Sequence, residues 1–287
     1  MASLRRYVGL LLLAAVSGLA QADAGRLLAT GAATQIEGSA GGGLVPWAVL
    51  AGYGTRDGRG GTAFATRVDS GDYALASFGV AYTFNNRLAL SYARQHFDLG
   101  TLQRQLLLPV GAFDMDVFGA KYRIAGDLIY GEAPQIALGV QHKRQRDFAI
   151  PLAVGARDDS GTDVYFSASR LFLAGLAGRN LLLSANLRAT KANQIGLLGF
   201  GGDRRDRYSL LFEGTAALLL DRHWALGLEY RQKPDNLEFA AEDDWRDAFV
   251  AWFPNKRVAL VTAYADLGSI AGIDRQRAWY LSMQLSY

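Results

Sequence analysis

Apolar and polar residues alternate with a period of two along most of this chain. The pattern is clearest at residues 279–287, where one face would carry Trp279, Leu281, Met283, Leu285 and Tyr287. This period places the two sets on opposite faces of a β-strand. Nine residues suit the roughly 9–11 of a tilted strand that crosses a bilayer, and an aromatic at each end suits its two interfaces. The segment predicts a membrane-spanning strand, with Tyr287 as an aromatic assembly signal.

Ten further segments between Tyr73 and Asp266 show the same period, although residues 163–173 and 245–253 alternate less cleanly. The connections between them alternate in length. Short ones fall near Asn85, Asp221 and Pro254 and within residues 126–132 and 174–179; long ones cover residues 100–112, 147–160, 191–206, 234–244 and 267–276. Short periplasmic turns and long external loops are typical of an outer-membrane barrel. The pattern predicts an all-β fold, a transmembrane antiparallel up-and-down β-barrel.

The number of strands depends on the residues before Tyr73. An even number returns both chain ends to the periplasm, so the eleven predicted strands need one more. Residues 44–55 are the best candidate, because Val45, Trp47, Val49, Ala51 and Tyr53 are in phase. Residues 62–68 would then extend the second strand or form another. We expect 12 strands, or 14 if residues 27–37 also span.

The first residues predict export. Arg5 and Arg6 precede a short apolar run, and Ala20-Gln21-Ala22 has the small residues of a cleavage site. These are the parts of a secretory signal peptide, and the run is too short for a transmembrane helix. We therefore expect three regions: a signal peptide (residues 1–22), a Gly-rich leader that is periplasmic or luminal (residues 23–43) and the barrel (residues 44–287). The expected location is the outer membrane of a Gram-negative bacterium.

Charge and composition exclude several functions. Loss of Arg5 and Arg6 leaves 28 basic against 27 acidic residues, so the whole-chain net charge of +3 gives no support for nucleic-acid binding. The absence of Cys excludes disulfides, thiol catalysis and thiolate metal sites. Three scattered His residues do not make a metal site, and we expect neither metal nor cofactor. The acidic pair Asp158-Asp159 is more consistent with a solvated loop than with a Ca²⁺ site.

Two groups of residues bear on transport. The residues expected to line the lumen carry excess positive charge, which indicates either an anion-favouring pore or an ion-pair network across a plugged interior. They are Lys121, Arg123, Lys143, Arg188, Glu213, Glu229 and Arg231. Three external loops are apolar, which indicates either an entry site for hydrophobic molecules or loops that bury one another over the mouth. Their candidates are Leu106, Leu107, Leu108, Phe148, Ile150, Leu197 and Phe200.

Catalysis has weak support. No His is followed two residues later by Ser, as in barrel phospholipases. Asp221 and His223 have the Asp-x-His spacing of barrel proteases but fall in a short periplasmic turn, whereas those catalytic groups lie at the external rim. Asp114 and Asp116 could act as paired carboxylates, although charged residues near the lipid headgroups are the simpler interpretation. We do not expect an enzyme.

Two stretches carry a resemblance to a known family. Residues 38–48, Gly-Ser-Ala-Gly-Gly-Gly-Leu-Val-Pro-Trp-Ala, and residues 91–98, Ser-Tyr-Ala-Arg-Gln-His-Phe-Asp, are similar to a proteobacterial family of exported proteins labelled domain of unknown function 3034. The resemblance covers essentially the whole mature chain. It implies an outer-membrane location, and it assigns no activity and no catalytic or binding residue.

The expected function is a passive channel or uptake pore for small molecules, including hydrophobic ones. The alternatives are a non-transporting structural or interaction barrel of the cell envelope and, third, a barrel hydrolase. The expected partners are outer-membrane lipid and lipopolysaccharide, the outer-membrane assembly machinery and a small-molecule ligand, with no nucleic acid.

Overall fold

The computed structural model describes residues 26–287 and shows a closed antiparallel barrel of twelve strands. Each strand pairs with its neighbours in sequence, and the last strand pairs with the first. The wall consists of β3 (Arg59–Asp69), β4 (Ala74–Phe84), β5 (Leu88–Asp98), β6 (Ala112–Ala125), β7 (Gln135–Gln145), β8 (Ser160–Leu176), β9 (Arg179–Thr190), β10 (Ser209–Leu219), β11 (Trp224–Arg231), β12 (Trp245–Asn255), β13 (Val258–Asp266) and β14 (Arg277–Ser286). The prediction of a 12-stranded barrel is confirmed.

Helical elements occur only in the connections of the described part. They are α1 (Gly100–Leu106), α2 (Ala149–Ala153) and a 3₁₀ helix (Asn193–Gly196). Within residues 26–287, no helix has the length and apolar character that a bilayer span requires. Two very short strands, β1 (Ala33–Thr34) and β2 (Ala40–Gly41), pair with each other and are not part of the wall.

The outer surface of the barrel is apolar and lies against lipid. The alternation predicted for the strands is observed: Leu281 is 61% exposed on the outside, whereas Tyr280 beside it is buried in the lumen. Aromatic side chains group at the two ends of the wall. Trp224 stacks on Trp252 near the short turns, and Tyr264 meets Trp279 edge to face near the long loops. Such girdles mark the membrane interfaces, and the barrel is an outer-membrane protein.

The barrel closes between β14 and β3. Eight residue pairs run from Trp279 opposite Asp69 to Ser286 opposite Thr62. Beyond the last pair, Tyr287 and Gly61 exchange two backbone hydrogen bonds of 3.0 and 3.1 Å. The Tyr287 ring also lies 6.2 Å from that of Tyr82 on β4. The terminal residue is therefore part of the seam.

The prediction of a first strand at residues 44–55 is wrong. The first wall strand is β3, which begins at Arg59 and contains residues 62–68. This strand completes the count of twelve, and no strand spans residues 27–37. Residues 30–53 are instead buried inside the barrel, and we call this segment the plug. The alternating apolar residues of its second half belong to an extended chain surrounded by the wall. The predicted signal peptide lies outside the described residues.

Deletion of Tyr287 should impair assembly because it removes two seam hydrogen bonds and the contact with Tyr82. We expect a smaller folded fraction in outer membranes, measured by the shift in gel mobility between unheated and boiled samples. Tyr287→Phe keeps the backbone pairs and the ring, and it should assemble like the parent chain. Equal assembly of the deletion and the parent would contradict a role of Tyr287 in closure.

Candidate functional site

A closed ring of six alternating charges lies in the external half of the lumen, since Lys143 is two residues from the external end of β7 and Arg231 is the last residue of β11. Each member contacts an opposite charge on either side, and all six side chains are at most 3% exposed. Their order is Glu37, Lys143, Asp163, Arg188, Glu213 and Arg231, which contacts Glu37 again. The separations include 2.7 Å for Lys143–Asp163, 2.7 Å for Arg188–Glu213 and 2.8 Å for Arg231–Glu37. We call this set the charge ring.

Glu37 is the only ring member that belongs to the plug. Burial raises the pKa of its carboxyl group, but the positive charges of Arg231, Lys143 and Arg188 lower it further, so the pKa lies well below its usual range. Glu37 therefore remains ionised at neutral pH. Its carboxylate links β7 to β11 across the lumen through the plug.

Lys121 holds the plug by its backbone. The buried ammonium donates to the carbonyl oxygens of Ala40, Trp47 and Val49 at 2.8, 2.7 and 3.1 Å. These three oxygens belong to both halves of the plug, so one side chain of β6 fixes its fold. An ammonium group has three donors, and all three are used here.

Glu229 on β11 binds the Gly-rich turn of the plug. Its carboxylate accepts hydrogen bonds from the amides of Gly43 and Leu44, both at 2.7 Å. The backbone approaches so closely that a Cβ atom at Gly42 would lie 2.1 Å from a Glu229 oxygen. This close approach explains why the position is occupied by glycine.

Asp247 on β12 lies directly opposite Glu229 in the strand register. It is 6% exposed, and neither of its carboxylate oxygens has a hydrogen-bond partner among the described residues. A buried carboxylate without a partner is costly. The two luminal aspartates thus differ, because Asp163 contacts Lys143 and Arg188.

The external mouth is covered by residues 191–206. The carbonyl oxygens of Ile195 and Leu197 accept hydrogen bonds from Lys143 and Gln145 of β7. The amide of Gln194 is bound by Glu242 of the next loop. Beneath this cover, an apolar cavity of about 40 Å³ lies against Ile36 and Leu44 of the plug.

The seven apolar loop candidates do not share one position. Leu197 and Phe200 are buried under the mouth, and Leu108, Phe148 and Ile150 are partly buried against the same core. Leu106 and Leu107, at the end of α1, remain exposed, and Leu107 is 86% accessible. The structure therefore brings most of them inward.

The remaining candidates lie at the ends of the wall or on its outer face. Arg123 binds the carbonyl oxygen of Gly126 and the carboxylate of Asp127 in a periplasmic turn. Asp114 and Asp116 lie on the outward face of β6 and pair with Arg94. The Asp221 carboxylate accepts the amides of His223 and Trp224 within its turn. No group of three or more His, Cys, Asp and Glu suited to a metal occurs within residues 26–287.

The periplasmic half of the lumen contains an apolar cavity of about 570 Å³. Trp47 and Val49 of the plug line one side of it, and Leu182, Phe249 and other wall residues line the opposite side. It reaches the periplasmic rim at Leu27 and Tyr130, which are exposed. We call this space the chamber.

Sequence reasoning missed Glu37, Asp163, Asp247 and the chamber. The sequence places Glu37 in a leader of unspecified position, so its partners are not visible there. Asp163 falls where the alternation of β8 is least regular. The three acids compensate the positive charge that the sequence pattern gives to the lumen.

The two luminal aspartates should respond oppositely to replacement by Asn. Asp163→Asn leaves Lys143 and Arg188 short of a partner and should lower the free energy of unfolding by about 3–5 kcal/mol. Asp247→Asn replaces a buried carboxyl group that has no hydrogen-bond partner among the described residues and should raise it by about 1 kcal/mol. Urea unfolding in lipid vesicles, followed by tryptophan fluorescence, measures both. A similar decrease in both variants would show that Asp247 has a stabilising partner.

Lys121→Met should loosen the plug, because three buried carbonyl oxygens lose their donor at about 1–3 kcal/mol each. We expect faster amide hydrogen exchange in residues 40–49, measured by mass spectrometry. Arg123→Met, two residues along the same strand, touches only the periplasmic turn and should leave plug exchange unchanged. Parent-like exchange in Lys121→Met would mean that the plug is held without this side chain.

Solved structures with a similar backbone include two porins and an outer membrane protein. A KdgM porin has a TM-score of 0.49 at 10% identity, over 79% of this chain and 99% of that chain. A NanC porin has a TM-score of 0.46 at 9% identity, over 79% and 98%. Outer membrane protein Omp33 of Acinetobacter baumannii has a TM-score of 0.45 at 8% identity, over 80% and 97%. No curated protein matches the sequence.

One family model covers nearly all of the described chain. It is described as Protein of unknown function (DUF3034) and matches residues 30–284, from the start of the plug into β14. The first stretch that suggested this family, residues 38–48, lies in the plug, and the second, residues 91–98, lies in β5. The chain belongs to the DUF3034 family of proteins of unknown function.

Proposed function

We propose that this outer-membrane barrel is an uptake channel for small molecules and that the plug holds it closed. The observation that supports the proposal is which part of the chain fills the lumen. The centre of the barrel is occupied by a separate segment of chain, residues 30–53, rather than by wall side chains alone. A segment of this kind can move while the wall keeps its strand pairing.

The contacts between plug and wall are suited to reversible opening. Beyond Glu37, they are mainly hydrogen bonds from wall side chains to plug backbone. Gln135 and Asn186 donate to the carbonyl oxygens of Ala48 and Pro46 at 2.7 and 2.6 Å, and Ser77 donates to that of Ile36. Water can replace such partners at small net cost once the lumen is hydrated. The polar wall would then line an aqueous path.

The alternative is a structural barrel that never opens. The closed charge ring favours this candidate, because six mutually paired buried charges resist separation. A hydrolase is not proposed, since Asp221 is engaged with its own turn and Asp114 with Arg94 and His96. The two remaining candidates differ in one measurable property, conductance.

Planar-bilayer recordings should separate them. We expect the parent protein to be silent or to open rarely, and a chain lacking residues 30–53 to give steady conductance. Glu37→Gln keeps the plug but weakens two ring contacts, and it should open more often than the parent. Glu132→Gln, in an exposed periplasmic turn, is the matched control and should behave as the parent. A folded, plug-deleted barrel without conductance would favour the structural barrel.

A reversible lock tests the movement itself. The chain has no Cys, and a Cβ atom on Gly38 would lie 3.2 Å from that of Ala93. This is slightly shorter than the roughly 3.5–4.5 Å of a disulfide, so Gly38→Cys and Ala93→Cys can bond after a small shift. The φ of +88° at Gly38 adds a strain of about 1–3 kcal/mol to the Cys variant. We expect this disulfide to abolish the openings of Glu37→Gln and reduction to restore them. Openings that persist in the locked protein would exclude plug movement as the gate.

A further inference from the structure

The wall of the lumen changes character along the barrel axis. In its external half it presents the charge ring and other polar side chains. Toward the periplasm it presents Leu182, Ala217, Phe249, Ala251 and Val261, each at most 4% exposed. The chamber lies at this apolar level, between the wall and Trp47 of the plug. These apolar residues come from four different strands, so the change from a polar to an apolar lining is a property of the wall.

The chamber has the size and lining of a small-molecule site. Its volume of about 570 Å³ lies within the roughly 300–1,000 Å³ of such pockets, which are mostly apolar with few polar groups. Apolar surface in contact with water is unfavourable, by about 25 cal/mol per Å². An apolar body that displaces water from the chamber is therefore stabilised there.

The rim of the chamber carries the polar groups. Arg179, Asn180 and Arg222 line it where it meets the periplasm. The one acid among these rim residues, Asp221, already accepts two amides of its own turn. Arg179 and Arg222 are both exposed. Arg179 donates to the carbonyl oxygen of Leu220, so the two connections that carry these arginines are neighbours. Two guanidinium groups at the opening of an apolar chamber complement an anionic head.

We propose that the chamber binds a single-chain amphiphile, with its acyl chain between Trp47 and Phe249 and its carboxylate or phosphate head at Arg179 and Arg222. The chamber already reaches the periplasmic rim, so binding does not require the plug to move. The inference therefore stands apart from the channel proposal. The other occupant to consider is the amino-terminal end of the mature chain up to Leu28, because Leu27 and Leu28 line the chamber.

Binding can be measured in lipid nanodiscs with an undecanoic acid that carries a dansyl group. Trp47 lines the chamber, so bound probe should accept energy from tryptophan fluorescence, and Trp47→Phe should lower that transfer. We expect saturable transfer and competition by dodecanoate. Competition by lysophosphatidic acid would show that the site accepts a phosphate head as well as a carboxylate. Absence of saturable transfer in the parent protein would overturn the proposal.

Variants locate the site. Ala225→Trp and Ala251→Phe fill the chamber and should weaken probe binding by about tenfold, because the displaced chain loses its apolar contacts. Leu226→Trp is the matched control, since this neighbour of Ala225 faces lipid and is 47% exposed. Folding of each variant is checked by gel mobility. Unchanged binding in both folded filling variants would place the probe elsewhere and overturn the proposal.

The head group is tested separately. Arg179→Gln combined with Arg222→Gln should weaken binding of the anionic probe about fivefold, as expected for exposed charge contacts, and leave competition by dodecanol unchanged. A chain that begins at Ala29 tests the other occupant. If this truncated chain binds the probe and the mature chain does not, the chamber is filled by the protein's own amino-terminal residues and the proposal is wrong.

Discussion

The closed charge ring is the interaction on which the rest of the structure depends. Burial of six charges is expensive, and it is tolerated only when each charge has partners. Glu37 supplies the partner that the wall lacks, because the other five members carry a net charge of +1. With the plug in place, Glu37 thus completes the pairing of the buried wall charges. In turn, the ring fixes the depth of the plug and places its Gly-rich turn against Glu229.

Barrel size explains why a plug is needed at all. Eight strands enclose a space that side chains can fill, whereas twelve enclose more. Irregular backbone at membrane depth must find hydrogen-bond partners within the protein. Lys121, Gln135 and Asn186 provide these partners for the plug carbonyl oxygens. The polar side chains of the wall thus serve the backbone inside it, and under the proposed channel function the same side chains would line the aqueous path.

The sequence predicted the outer surface well because lipid imposes a strict period of two. Strand number, lipid-facing residues and loop alternation all follow from that constraint. The first strand could not be assigned in the same way. Val45, Trp47 and Val49 alternate as a strand would, yet they lie in an extended plug that is buried on all sides. Periodicity identifies extended chain, and it does not distinguish a wall from a segment that the wall encloses.

The inside of the barrel was less predictable because its contacts join distant parts of the chain. The ring joins Glu37 to Arg231, and no local pattern pairs them. The chamber, however, corresponds to a recognisable pattern in the sequence. Where the lumen becomes apolar, both faces of a strand are apolar and the alternation disappears, as in Leu181–Leu183, Ala216–Leu220 and Phe249–Phe253.

These irregular stretches have a common cause. Leu182, Ala217 and Phe249 face the chamber, while their neighbours in sequence face lipid. A loss of alternation in a membrane barrel is often taken as a weak strand, but here the strands are regular and only the environment inside has changed. In such barrels, continuous apolar runs at the same end of several strands indicate an apolar lumen. That signal is carried by the amino-acid sequence itself, and it points directly to the part of the interior where a hydrophobic ligand would bind.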